Sequence, residues 1–314
     1  MDPVEETGNP TIRSIGIVVN PTKPRANDVV REIADVCRAM GLTGMLAAPP
    51  DAGIEPAGMK VVAEEDLCCL CDMVIACGGD GTILRAARLM MGDPKPILGV
   101  NLGRLGFLAE LAPEFVESGL KMIHEGRFFV KSRMTLEARV DGSDTVHHAL
   151  NDIIIAKSNQ SRIIALDMYE SGRWVNTYVA DGLILATPTG STGYALAAGG
   201  PIITPRTNAV SIVPICPHSL TVRPMIFDGG VEIDIRASGT SDSTILLSAD
   251  GQGSCTLESG QNVRVRRGKK DALLIRLESS SYYDILRQKL HWGLDKTLGG
   301  ERGQNGEITG TTMP

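Results

Sequence analysis

The sequence predicts an α/β N-terminal domain with a parallel sheet, followed by an all-β, sandwich-like C-terminal domain. Two patterns and a length predict it. Up to about residue 130, continuous apolar runs alternate with amphipathic helical patterns. Strands buried on both faces read this way, because crossover helices cover both sides of a parallel sheet. Beyond 130 come short runs, alternating or β-branched, separated by turn residues. The 314 residues suit two domains at about 150 residues each.

Residues 15–19 (IGIVV) form a buried strand that stops at Asn20-Pro21. Residues 26–40 place Val29, Val30, Ile33, Cys37 and Met40 on one helical face, and Gly41 ends that helix. Residues 73–77 (MVIAC) and 97–100 are further buried strands. Between them, 82–91 form a helix with Ile83, Leu84, Ala87 and Met91 inward, and a helix at 114–125 closes the α/β domain, expected over 12–130. Strands are then expected at 133–140, 147–156, 161–170, 173–179, 182–187, 209–215, 231–236, 244–249 and 262–267, with only 191–198 helical, in a β-rich domain over 131–280. Residues 282–292 return to a helical pattern, and the segment 281–295 is expected to pack back on the first domain. Residues 1–11 and 299–314 lack an apolar face and read as loose tails.

Apolar residues are 43% of the chain and charged residues 22%, enough to bury a core. The net charge of −6 argues against a nucleic-acid partner, which needs a basic surface. It leaves nucleotides open, because backbone N–H groups can hold small phosphates. No apolar run approaches the ~18 residues of a membrane span, and the polar N-terminus (MDPVEETGNP) has no signal core. No membrane association and a cytoplasmic location are therefore expected. Seven cysteines, an odd number, fit reduced thiols.

Cys77-Gly78-Gly79-Asp80-Gly81-Thr82 lies between a buried strand and a helix, where open α/β sheets bind ligands. Glycines let a phosphate reach the amides, and the helix starting at Thr82 aims its positive end there. Asp80 would repel that phosphate unless it works: as acceptor of an attacking hydroxyl's proton, or as a holder of Mg2+. The bland alternative is an Asp-Gly turn. No GxxxxGK[ST] loop occurs, so the phosphate charge falls to metal, backbone and Arg85, whose alternative is a solvated helix face.

Residues 181–194 read DGLILATPTGSTGY, a strand running into a hydroxyl-rich turn suited to phosphate or ribose oxygens. Tyr194 either stacks on a base or sits in the core. Asn151-Asp152 interrupts an apolar strand, which is costly without hydrogen bonds. The pair either grips a ribose diol or marks a bulge or a strand end.

GGDGT (78–82), NLGRLGFLAE (101–110), LNDIIIAK (150–157), DGLILATPTGSTGY (181–194), AGGPI (198–202), CPHSLTVRP (216–224) and SADGQ (248–252) together resemble the NAD kinase family. GGDG alone is shared with lipid kinases and phosphofructokinases. The Asn-Asp pair and the TPTGST turn are more specific. The resemblance implies ATP-dependent transfer of the γ-phosphate to the 2′-hydroxyl of the adenosine ribose of NAD, with a divalent metal (Mg2+) and assembly as a homodimer or homotetramer. By the same resemblance Asp80 is catalytic and Gly81 lies beside the nucleotide, while Gly79, Thr82 and Arg85 are candidate phosphate contacts from the loop and helix pattern itself. Asn151 and Asp152 grip the NAD ribose. Asp181, Thr192, Gly193, Tyr194, Ala195, Leu196 and Ala197 add nucleotide contacts, as do Phe107, Arg162 and Gln252. Gly193 replaces the family's usual Ala, and Val222 stands where a polar residue is common.

Other signals are weaker. Cys68-Cys69-Leu70-Cys71 has no second cysteine pair to complete a zinc site. His147 and His148 point to opposite faces of a strand. His218 reads as structural, and Arg264, Arg266, Arg267, Lys269 and Lys270 as a solvated turn. A lipid kinase would need a membrane-facing basic helix that the sequence lacks. A regulator without turnover would not need Asp80, Asn151 and Asp152 together.

Overall fold

Strand β1 (Ser14–Val19) is the first apolar run, buried from Ile15 onward. Helix α1 (Ala26–Ala39) buries Val29, Val30, Ile33, Ala34 and Cys37 against the sheet and ends before Gly41, at φ +68°. Then come β2 (Thr43–Ala47), β3 (Lys60–Val61), α2 (Leu67–Leu70) and β4 (Met73–Gly78). Helix α3 (Asp80–Leu89), β5 (Pro96–Asn101), α4 (Val116–His124) and β6 (Phe129–Arg133) follow. The computed structural model describes residues 10–48, 52–103, 106–158, 163–238, 244–277 and 282–292. The stretch 299–314 and most of 1–11, read from sequence as tails, lie outside these.

The second half contains β7 (Leu136–Val140), β8 (Val146–Ala149), β9 (Asp152–Lys157), β10 (Ile164–Glu170), β11 (Arg173–Ala180) and β12 (Gly182–Ala186). After them come α5 (Tyr194–Ala197), β13 (Ala209–Ile215), β14 (Met225–Asp228) and β15 (Ile233–Ser238). The hairpin β16 (Ile245–Ala249) and β17 (Gln252–Leu257) precedes β18 (Asn262–Arg267) and β19 (Ala272–Arg276). Helix α6 (Tyr282–Leu290) belongs to a second unit.

The first sheet runs β3-β2-β1-β4-β5-β19-β6, parallel throughout except for the antiparallel β19–β6 pair. Strand β19, expected inside the β-rich region, instead pairs with β5. A short apolar run such as ALLIR fits any buried strand position, so local pattern does not say which sheet takes it.

The β-rich part is two six-stranded antiparallel sheets, β11-β10-β15-β18-β7-β8 and β14-β13-β12-β9-β16-β17. Their inner faces share one core: Leu136, Ala138, Leu166 and Val263 from one sheet, Ile153, Ile155, Leu183 and Ile212 from the other. The period of two sends Ile184 and Ala186 to the opposite face, where they pack with Val213 and Ala195. The expected strand 147–156 is corrected here. It breaks at Leu150-Asn151, so β8 joins one sheet and β9 the other. Such corners are where strands change sheets in a sandwich. Among the described residues no helix is long and apolar enough to cross a membrane.

Candidate active site

Strand β4 delivers Gly78 to the carboxyl edge of the parallel sheet, and α3 starts at Asp80, two residues earlier than the sequence suggested. The amides of Asp80 and Gly81 thus fall in the first turn, where no intrahelical acceptor exists. Gly78 is required by packing, since a Cβ there would lie 2.1 Å from Thr82 Oγ1. Gly79 and Gly81 are not: a Cβ on either would meet nothing within 4 Å, and neither has positive φ. What these two leave is bare backbone at the positive end of a helix, facing open space. Thr82 is buried with its hydroxyl against Gly78, so it offers the loop packing rather than an outward side chain.

Asp80 is half-buried, and its carboxylate turns toward the segment after β5. Oδ2 accepts from the Phe107 amide at 2.8 Å and Oδ1 from the Leu108 amide at 3.1 Å. A Cβ on Gly106 would lie 1.9 Å from Oδ1, so only glycine permits this approach. That segment is pinned at both ends. The Leu102 amide donates to Gly78 O at 2.7 Å, and Glu110 pairs with Arg276 at 2.6 Å while accepting from the Leu277 amide at 2.8 Å. Arg85 does not stand free over the loop: its guanidinium is paired with Glu64. Lys23, after β1, places Nζ 3.7 Å from where a Cβ on Gly103 would sit, and among the described residues it has no carboxylate partner.

The second cluster forms at the break between β8 and β9. Asp250 accepts from three successive amides, Leu150 (2.9 Å), Asn151 (2.7 Å) and Asp152 (3.1 Å), and its own amide donates to Asp152 O at 2.9 Å. From the other side, Thr187 Oγ1 donates to Leu150 O at 2.6 Å and the Thr187 amide to Asn151 O at 2.8 Å. A Cβ on Gly190 would lie 2.1 Å from Asn151 O, so the TPTGST turn presses on this corner. Asn151 Oδ1 is buried without a hydrogen-bond partner. Asp152 is 5% exposed, and its carboxyl is pushed up to about 7, first by burial and then by the like charge of Asp250. Burial also raises Asp250, against the pull of its three amide donors.

The two clusters are joined. Gln252 Nε2 donates to Gly81 O at 2.7 Å, and Arg88 donates to Gln252 O at 3.4 Å. Leu150 packs into the core under α3 with Ile83, Leu84 and Ala87. Tyr194 is 48% exposed beside this corner's turn, its ring available for stacking rather than buried. Thr192 and Leu196 are half-buried and Ala197 exposed, whereas Ala195 faces the core and offers no side chain to a ligand. Gly193 leaves a gap beside Asn151, with Nδ2 3.5 Å from where a Cβ would be. Asp181 is elsewhere: it precedes β12, at the opposite end from Thr187, and pairs with Lys157 at 2.8 Å. Six residue steps separate Asp181 from Thr187, about 20 Å at ~3.3 Å per residue. Arg162 lies outside the described residues.

Residues 15–128 match the ATP-NAD kinase N-terminal domain and residues 150–277 the ATP-NAD kinase C-terminal domain.

This chain belongs to the NAD kinase family.

NAD kinases of Geobacter metallireducens and Geobacter sulfurreducens are similar to it. The first is 42% identical over 239 residues, covering 75% of this chain and 84% of the relative. The second is 39% identical over 287 residues, covering 90% and 99%. An NAD kinase from Archaeoglobus fulgidus in complex with ATP superposes with a TM-score of 0.71 at 25% identity, over 88% of this chain and 98% of that one. Yeast NADH kinase complexed with NADH shares the fold, with a TM-score of 0.84 at 24% identity over 92% and 90%.

Three residues of this NAD kinase family member escaped the sequence reading. Asp250 lay inside a quoted motif, but three amide acceptances by one carboxylate leave no local signature. Thr187 looked like one hydroxyl among several. Lys23 is 55 residues from Gly78, and only the adjacency of β1 and β4 brings it near. The weaker signals stay outside the site. Burial pushes the Cys37 and Cys71 thiols up to about 11 and that of Cys77 to about 12, which makes them poor nucleophiles. Arg264, Arg266 and Arg267 are paired with Asp234, Glu137 and Asp271.

Proposed function

We propose that the protein is an ATP-dependent NAD kinase that transfers the γ-phosphoryl group of ATP to the 2′-hydroxyl of the adenosine ribose of NAD, giving ADP and NADP. One observation carries this reading. A carboxylate at an open glycine loop is tied, through Gln252 and Asp250, to a buried corner with an unpartnered amide oxygen. An unsatisfied buried acceptor costs about 1–3 kcal/mol. A ribose hydroxyl donating to Asn151 Oδ1 removes that cost, and Asp152 can accept from the neighbouring hydroxyl.

The donor's phosphates lie along the bare amides at the start of α3, with Lys23, beside Gly103, as a cation without a carboxylate partner among the described residues. The acceptor hydroxyl attacks the γ-phosphorus as the bond to the ADP oxygen breaks, and its proton passes to Asp80. Each Asp80 oxygen holds one amide and keeps a lone pair for that proton. A weak base suffices because the transition state is loose and the hydroxyl becomes acidic late. Among the described residues no three His, Cys, Asp or Glu side chains cluster as a metal site. Mg2+ would enter with the donor phosphates, and the chemistry it would supply there is shielding of their charge.

The working form we propose is a homodimer or homotetramer in the cytoplasm, without nucleic-acid or membrane partners. Incubating the purified protein with ATP, Mg2+ and NAD or NADH, with NADP(H) read by a coupled dehydrogenase, tests the activity. Absence of product overturns it.

A further inference from the structure

We propose that the turn Asp250-Gly251-Gln252 is a strap that sets the separation between acceptor and donor half-sites, with Asp250 and Gln252 as positioning residues. This rests on the kinase reading above. One end of the strap is Asp250, whose carboxylate gathers the amides of Leu150, Asn151 and Asp152. The other is Gln252, whose side-chain amide donates to Gly81 O in the phosphate loop. Two residues of chain reach no more than about 7 Å. The ribose-gripping corner and the glycine loop are therefore leashed to each other at one short distance.

The turn is built for that task at a cost. Asp250 holds φ +54°, a left-handed conformation that glycine adopts freely and a residue with a Cβ does not, while Gly251 and Gly253 sit at φ +64° and +71°. A strained non-glycine residue persists only where its surroundings over-determine it. Here three amide bonds and the return bond to Asp152 O do so. Gln252 is fastened a second time, since Arg88 on α3 donates to its carbonyl. One N–H of its side-chain amide is held by the loop carbonyl, which ties the placement of Gly81 to this residue. Phosphoryl transfer depends on placement more than on covalent chemistry, and misplacement by ~1 Å can cost ~10²-fold.

Steady-state kinetics on the full chain, with NAD binding titrated separately, test the strap. Gln252→Ala is expected to lower kcat about 10–100-fold while both KM values and the NAD Kd stay within about threefold. Gln252→Glu keeps the size but presents no donor to Gly81 O, and should behave like the alanine variant. Gln252→Lys restores a donor and should recover part of kcat. Asp250→Asn should raise the NAD KM about tenfold, because one of its two accepting oxygens is lost. A Gln252→Ala enzyme with kcat within twofold of wild type overturns the proposal, as does a loss that appears wholly as weaker NAD or ATP binding. If the alanine variant does not fold, equal kcat in the Glu and Lys variants overturns it. Wild-type protein that forms no NADP overturns the kinase reading itself, which separates the two failures.

Discussion

Asp152 holds a nearly buried carboxyl beside Asp250, and its protonation ties stability to pH. Its folded pKa of about 7 lies above the unfolded carboxyl's value of ~3.9. Between these values the native state keeps a proton that the unfolded chain has lost. Stability from this group therefore falls as pH rises from about 4 to 7, then levels off. Asp152→Asn should be more stable than wild type at pH 8, by about 1–3 kcal/mol, with the gap shrinking toward pH 4. Urea melts at both pH values check this, and a pH-independent gap refutes it. At pH 8 the same variant should bind NAD more weakly, since there an ionised acceptor is replaced. Asp80→Asn should lower kcat by ~10²–10⁴ with NAD affinity largely intact, as loss of a general base predicts; near-normal turnover would discard that role. Lys23→Met should raise the ATP KM about tenfold without moving the NAD Kd, the mark of one lost charge on the donor side. Asn151-Asp152 was legible in the sequence because polar residues inside an apolar strand pattern are costly and need a reason, and Asp80 because a carboxylate in a phosphate cradle repels the ligand unless it works. Asp250 was not, because its hydrogen-bond partners are 98 to 100 residues away.

At the scale of elements, the segment after β5 is the piece that turns a glycine loop into a site. Its inner end meets Asp80 through amides, and its outer end is clamped by the Glu110–Arg276 pair, with side chains 8% and 9% exposed. Breaking a buried pair leaves an uncompensated charge and costs about 3–5 kcal/mol. Glu110→Gln should therefore lower stability by that order and also depress kcat, because the Phe107 and Leu108 amides lose their anchor. Removing both charges, as Glu110→Gln with Arg276→Met, should recover much of the stability. Denaturant melts of the single and double variants decide it, and additive losses would refute the coupling. Gly106→Ala should be poorly tolerated, since its Cβ would overlap the Asp80 carboxylate. The strand–helix alternation that positions Asp80 was readable from periodicity. The clamp was not, because β19 enters the first sheet from the far end of the chain.

For the whole molecule, the sandwich leaves one apolar edge uncovered. Leu220 is 91% exposed, Trp174 57% and Ile226 55%, with Val179 and Met225 nearby. The His218 amide donates to Val179 O, and Tyr178 Oη reaches Met225 Sδ at 3.7 Å, so the loop 216–224 and strands β11 and β14 form one surface. Exposed apolar side chains on neighbouring elements are where an association site is to be sought. The homo-oligomer proposed above would use this face, so Leu220→Glu combined with Ile226→Lys should lower its mass to that of a monomer in light scattering, and an unchanged mass refutes this face as the contact. By itself the sequence determined the alternation of a parallel-sheet half with a β-rich half and the chemical character of both clusters. Those follow from local rules: side-chain period, glycine where backbone must be bare, polar residues where burial is costly. Only the tertiary structure decided that 147–156 divides between two sheets, that Arg85 is spent on Glu64, that Asp181 lies a strand's length from the corner, and that Asp250 and Gln252 join the halves. Each depends on which distant groups meet, and pairing between remote residues leaves no trace in local pattern.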